Sequence, residues 1–249
     1  MRALILGIYI LILGFTSTQS FATPEQTLQA ARDKGLKLPL EYRAIDSPIE
    51  GFVLIGNPND SGDFPILISS SADLLFIGKK WAKIEKKNLR YLAPDEDLAL
   101  RNELVKKLKT DRLASYKFGD GHKKVFLFSA YDCPICRRLQ VELQKNNPSL
   151  DSTVYVLHSN LRAKDQAAFA TAGALWCARD PKKSWEDLSS GRKSPNGEAF
   201  ACPAYSAWIT YLIQIALFPP IERDSVPRFV FADGTSKTGF NGSLTEILK

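Results

Sequence analysis

The stretch Lys123–Leu143, KKVFLFSAYDCPICRRLQVEL, decides how the chain is read. Val125 to Ala130 is an apolar run with the length of a buried strand. A short turn follows, then Cys133-Pro134-Ile135-Cys136, then a pattern of helical period. Two cysteines spaced C-x-x-C at a strand-to-helix junction are the layout of a redox-active dithiol. Cys133 falls at the helix start, where unpaired backbone N–H groups and the helix dipole favour negative charge. Pro134 suits the first helical position, because its missing N–H has no intrahelical partner to lose. Cys136 lies one turn deeper on the same face. These positions make Cys133 the attacking thiol and Cys136 the resolving one, with exchange through a mixed disulfide. Arg137 and Arg138 add positive charge beside the pair. Two other readings stand beside this one. A structural disulfide between the two would close a loop too small to stabilise much by chain entropy. A zinc half-site would need two further ligands. Cys177, Cys202, His122 and His158 are the remaining candidates and none is spaced as a metal-binding pair, so no metal is expected.

Outward from that stretch the chain divides. Of its 249 residues 45% are apolar and 24% charged, an ordinary globular composition. Residues 1–22 read as a secretory signal peptide: Met1-Arg2, an apolar core from Ala3 to Phe15, and Ser20-Phe21-Ala22 before the cleavage point. That core is about 13 residues long, short of the roughly 20 that span a bilayer. Residues 23–93 read as a small α+β unit near the lower size limit for an independent core, which makes it a candidate dimerisation domain. Thr23-Pro24 opens a helix there. Strands follow at Glu50 to Ile55, Pro65 to Ser69 and Asp73 to Gly78. Residues 94–120 read as a linker helix from Pro94, with acids in its first turn and lysines near its end, and then a polar connection, Asp111 to His122.

Residues 121–249 read as strand, C-x-x-C helix, strand (Thr153 to His158), helices, then two short strands about the turn Asp233-Gly234 and a terminal helix. A βαβ half, a helical insertion and a ββα half make a thioredoxin-like fold. The most apolar later segment, Ala204 to Phe218, carries Tyr205, Ser206, Thr210 and Gln214 and reads as a buried helix, not a membrane span.

The net charge of +6 is scattered in short lysine runs. No basic stripe is interleaved with aromatics, so no nucleic-acid partner is expected. All four cysteines lie beyond the signal peptide, in a chain bound for an oxidising compartment. Cys177 and Cys202 flank a polar, Lys-, Ser- and Gly-rich segment. A disulfide closing it would stabilise by roughly 3–4 kcal/mol. A pair that exchanges with the dithiol, or two free thiols, are the alternatives. Val226-Pro227 stands just before the strand Arg228 to Ala232. A proline opening a central strand is unusual outside a special turn. In thioredoxin folds that turn holds a cis-proline facing the C-x-x-C, and the residue before it offers its backbone to an extended substrate.

With these residues in order, the chain resembles the DsbC/DsbG family of periplasmic thiol–disulfide isomerases. The likeness is carried by the apolar strand into CPIC, by Leu175-Trp176-Cys177-Ala178-Arg179-Asp180 with Lys182, Lys183 and Trp185, by Cys202, by Val226-Pro227 and by Asp233-Gly234-Thr235. It covers residues from about 110 to the end. The N-terminal part matches in outline, through Pro48-Ile49-Glu50-Gly51-Phe52. The resemblance implies a periplasmic V-shaped homodimer paired through its N-terminal domains, with an apolar cleft for misfolded chains. It implies that Cys133 and Cys136 are the redox pair, that Pro227 is the cis-proline with Val226 before it at the substrate, and that Cys177 and Cys202 form a structural disulfide. Its partners would be cysteine-containing exported proteins and a DsbD-like membrane thiol reductant. The sequence departs from the pattern at Ala130, where family members often carry an acid, and at Val226, where isomerases typically carry threonine and DsbA oxidases valine. The functional expectations are an isomerase or reductase first, a dithiol oxidase second, and a chaperone or assembly factor third. Nothing in the sequence supports a nucleotide, metal or flavin cofactor.

Overall fold

The computed structural model describes residues 22–60, 64–85, 87–145, 147–159, 166–192, 206–218 and 225–249. The predicted leader up to residue 21, Cys202 and Pro219-Pro220 lie outside the described residues. Among the described residues no helix is long and apolar enough to cross a membrane.

The described chain forms two sheets. Helix α1 (Pro24–Asp33) starts where expected: the Thr23 hydroxyl accepts the Gln26 N–H and the Gln26 side chain accepts the Thr23 N–H, a reciprocal capping box. Strands β1 (Arg43–Asp46), β2 (Phe52–Gly56), β3 (Ile66–Ser69), β4 (Leu74–Ile77), β5 (Lys80–Glu85) and β6 (Asn88–Tyr91) then make an antiparallel meander in chain order. Every residue of β2 is buried, because this sheet is covered on both faces. One face packs Val53, Ile55, Ile68 and Leu75 against Leu28 and Ala31 of α1. The other carries Phe52, Leu54, Leu67, Phe76 and Trp81 into a core shared with the second sheet.

Helix α2 (Pro94–Lys106) follows. The segment read as a polar connection contains strand β7 (Ala114–Phe118), which pairs antiparallel with β9. Its burial alternates, with Ala114, Tyr116 and Phe118 inward. The single lysine and serine between them, and the polar run on either side, hid the alternation. The second sheet continues with β8 (Lys123–Ser129), β9 (Ser152–His158), β10 (Arg228–Phe231) and β11 (Ser236–Thr238), in the spatial order β7-β9-β8-β10-β11. Strands β8 and β9 are parallel and joined through α3 (Pro134–Leu143), the βαβ half read from the sequence. Strands β10 and β11 form the hairpin about Asp233-Gly234, where Gly234 takes φ +84°. Helices α4 (Gln166–Trp176), α5 (Pro181–Ser189) and α6 (Ala207–Leu217) are inserted between β9 and β10, and α7 (Leu244–Leu248) closes the chain.

Side chains alternate across the second sheet, so its strands serve two cores. Phe126, Phe128 and Leu157 face α6 and the first sheet. Val125, Leu127, Val154 and Val156 face α3, α5 and α7. Helix α6 is the joint between the two sheets. Trp81 of β5 donates its indole N–H to the Ala216 carbonyl at 2.8 Å. From α2, the Arg101 guanidinium is paired with Asp97 and donates to the carbonyls of Ile215 and Phe218. The helix read as a connection is therefore laid against α6. Arg101 is 7% exposed and gives the carbonyls at the C-terminal end of α6 charge-assisted donors.

Candidate active site

The dithiol sits where β8 ends. Cys133 is the N-cap of α3, with extended backbone (φ −86°, ψ 122°), and is half-buried. Pro134 fills the first helical position, as its fixed φ favours. The Cys136 N–H donates to the Cys133 sulfur at 3.4 Å, so one otherwise orphaned amide of the helix start points at that sulfur. Both cysteines are free thiols. Cys136 is buried, at 2% exposure. Burial pushes its thiol up to about 12. The Cys133 sulfur beside it adds to that rise, while the Ala130 N–H and the Ser129 hydroxyl pull the other way. The outer thiol is thus partly open and the inner one is held protonated. Arg137 gives its Nε–H to the Tyr131 carbonyl at 2.9 Å. Ile135, between the cysteines, is 38% exposed and is an apolar contact point at the rim.

The peptide bond Val226–Pro227 is cis. The β10–β8 register pairs Arg228 with Phe128, and its continuation sets Pro227 at the level of Ser129, at the dithiol end of the sheet. Pro227 is buried and its carbonyl accepts the Gly239 N–H at 2.8 Å. Val226 is half-buried and packs on the core that contains Phe126, Phe128 and Phe218. Cys177 is disulfide-bonded, and Cys202, its partner in the sequence expectation, lies outside the described residues. Among the described residues no cluster of three or more His, Cys, Asp or Glu could hold a metal ion.

Sequence reasoning missed the polar set beneath the dithiol. Gln140 stands one turn after Cys136, on the face of α3 that also carries Leu139 and Leu143. Its amide donates to the Tyr116 hydroxyl at 2.6 Å, and its carbonyl oxygen accepts the Trp185 indole N–H at 2.7 Å. Tyr116 in turn donates to Glu186 at 3.3 Å, and burial pushes its phenol up, so it stays a neutral donor. The chain ties α3 to β7 and to α5. A glutamine on an otherwise apolar helix face was the available signal. Its partners could not be found without knowing that Asp111 to His122 holds a strand. His158 ends β9 in register with Ser129. It was weighed only as a metal ligand, yet it is 6% exposed and neither ring nitrogen has a hydrogen-bond partner.

The sheet order β7-β9-β8-β10-β11, the C-x-x-C at the start of the helix after β8 and the cis-proline entering β10 define a thioredoxin-like dithiol protein, here joined to a six-stranded antiparallel sheet. No family model matches the chain, and no curated protein does. Among solved structures it is similar to a disulfide interchange protein from Neisseria gonorrhoeae, at 28% identity over 57% of this chain and 96% of that one, with a TM-score of 0.42. It is similar to ScsC from Proteus mirabilis in a transitional conformation, at 14% identity over 63% of this chain and 78% of that one, TM-score 0.43. It is also similar to DsbG from Helicobacter pylori, at 11% identity over 83% of this chain and 98% of that one, TM-score 0.33.

Proposed function

We propose that the chain is an exported, periplasmic thiol–disulfide oxidoreductase that reduces or rearranges non-native disulfides in secreted proteins. The observation that carries this reading is the asymmetry of the two free thiols: Cys133 half-open at a helix N-cap, Cys136 buried one turn below. The Cys133 thiolate attacks one sulfur of a substrate disulfide. The substrate S–S bond breaks, one substrate cysteine leaves as thiolate, and the other is bonded to Cys133. A second substrate thiolate can then displace Cys133, which is isomerisation. Alternatively Cys136 displaces the substrate, which leaves it reduced and the pair oxidised. A membrane thiol reductant of DsbD-like kind would return the pair to dithiol. Val226 and Pro227 would offer backbone to an extended substrate strand, and pairing of two N-terminal sheets would build the homodimer.

A dithiol oxidase is the second reading, favoured by Val226 before the proline. Reactivation of a scrambled multi-disulfide substrate separates the two. The isomerase reading expects reactivation in a redox buffer, loss with Cys133→Ala, and a trapped mixed disulfide with Cys136→Ala. Oxidation of a reduced substrate without reactivation of the scrambled one would favour the oxidase. Full activity of Cys133→Ala would sink both.

A further inference from the structure

The outer face of α3, beside Cys133, is built from apolar and basic side chains. Pro134, Ile135, Arg137, Arg138 and Val141 are exposed. Helical period explains the set: Cys136, Leu139, Gln140 and Leu143 take the buried side, and the residues between them are left outside. The first turn of α3 holds no acid. Further along, Glu142 is paired with Lys145 at 2.5 Å. Asp132, next to Cys133, is half-buried and bears electrostatically on the buried His158 ring. Among the described residues neither Arg137 nor Arg138 has an ion pair. The charge at this rim is positive and uncompensated.

The Arg137 guanidinium is also held in place. Its backbone N–H donates to the Cys133 carbonyl at 3.0 Å, so the two residues stack on one side of the helix. Its side chain reaches back to the Tyr131 carbonyl, two residues before Cys133, and spends only the Nε–H there. The outer nitrogens, Nη1 and Nη2, have no partner among the described residues. Two such nitrogens are a fork that a carboxylate accepts bidentately. A guanidinium already anchored through Nε has less rotamer freedom to lose on binding.

We propose that Arg137 and Arg138 read acidic residues beside the substrate cysteine, so that the disulfides attacked fastest are those flanked by Asp or Glu. The proposal rests on the dithiol reading above. As an extended substrate comes to lie along the rim, a flanking carboxylate accepts from the Arg137 fork. Arg138, one position on, adds to the attractive field, and Ile135 gives the chain an apolar contact. The Cys133 thiolate then bonds to the substrate sulfur, the substrate S–S bond breaks, and the other sulfur leaves with the electron pair. The arginines take no part in that transfer. They are specificity-determining residues, and a substrate with lysine beside its cysteine meets repulsion at the same place. Both guanidinium groups are exposed, so the preference is modest and is screened by salt.

Three peptides test this on the full chain. Each carries one cysteine in a disulfide with thiopyridine, flanked on both sides by Asp, Asn or Lys. Attack by Cys133 on the peptide sulfur releases the absorbing pyridine thione. Dividing each rate constant by that of 2-mercaptoethanol with the same peptide removes the peptides' own reactivity. The ratio of the Asp to the Asn peptide removes any change in Cys133 common to all three. At low salt that ratio should be about five to ten, with the Lys peptide slowest, and it should shrink at about 0.5 M salt. Arg137→Gln together with Arg138→Gln should bring the ratio to about one, and the corresponding pair of Glu substitutions should invert the order. Arg137→Lys keeps the charge and loses the fork, and its ratio should fall between. Equal corrected rates for the three peptides with the wild type overturn the proposal. An undiminished ratio in the paired Gln variant overturns it as well. If the variants do not fold, the wild-type peptide series and its salt dependence still decide. Failure of all three peptides to react would count instead against the dithiol reading.

Discussion

The two faces of the second sheet are made by the same strands, β8 and β9 at its centre, and differ in kind. Toward α6 the strands present Phe126, Phe128 and Leu157. There Phe218 meets Phe126 at 5.5 Å and Phe128 at 5.0 Å, edge to face. Toward α3 the same strands present Val125, Leu127 and Val154, then Ser129 and His158 at their ends, above the Tyr116–Gln140–Trp185 chain. The first face holds the molecule together; the second holds a reactive helix in place. Alternation of side chains along a strand lets a one-residue step separate the two tasks. A polar group on the aromatic face would be buried without a partner. On the other face each of Tyr116, Gln140 and Trp185 has one, while Ser152 and His158, at the two ends of β9, do not.

This contrast can be broken from either side. The largest effect should come from the aromatic face. Trp81→Ala removes an indole that is 1% exposed, packs on Phe52 and Phe76, and bonds to α6. It should cost about 3–5 kcal/mol in a denaturant melt, with attack by Cys133 on a small disulfide unchanged in the folded protein. Two separate unfolding transitions, with the second unaffected, would show that α6 does not couple the sheets.

Next comes acid. His158 titrates near 6.5 when unfolded and at about 4 when folded, because burial disfavours its charged form. Between those values the unfolded chain binds the extra proton. The stabilising contribution is therefore complete above about pH 6.5 and is lost as pH falls toward 4, roughly 3 kcal/mol in all. His158→Leu should flatten that part of the stability curve, and an unaltered slope would place the imidazole in contact with solvent.

The smallest effect sharpens the polar side. Gln140→Leu leaves the Trp185 N–H without its acceptor and removes a donor from Tyr116, both buried. It should cost about 1–3 kcal/mol, measured by thermal melts. Unlike Trp81→Ala, it should also slow thiol–disulfide exchange, because α3 loses its tie to β7 and α5. Equal exchange rates in the two variants would mean that the network only stabilises.

How much was legible follows from the range of the interactions. The strand before Cys133, the helix after it, the Thr23 cap and the Asp233-Gly234 hairpin are set by residues within a turn of one another. The Thr23-Pro24 helix start was read in place, and the others with boundaries off by a few residues. Strand β7 was missed because its alternation is short and flanked by polar residues, and only pairing with β9 makes it a strand. Strands β1, β5 and β6 were missed for the same reason. β6 is exposed throughout and has no inward pattern to read. Nothing local to Arg101 points to its partners, which lie more than 100 residues away, in the carbonyls that end α6.

The sequence by itself determined the dithiol, its place at a strand–helix junction, and which cysteine stands at the helix start, because C-x-x-C at a helix start fixes all three locally. The tertiary structure decided what surrounds them. It sets Pro227 at the dithiol end of β10 in the cis form, lays the first sheet on α6, and brings His158 beside Ser129 at the ends of β9 and β8. Those placements depend on strand register and on packing between distant segments, and no local pattern of residues encodes either.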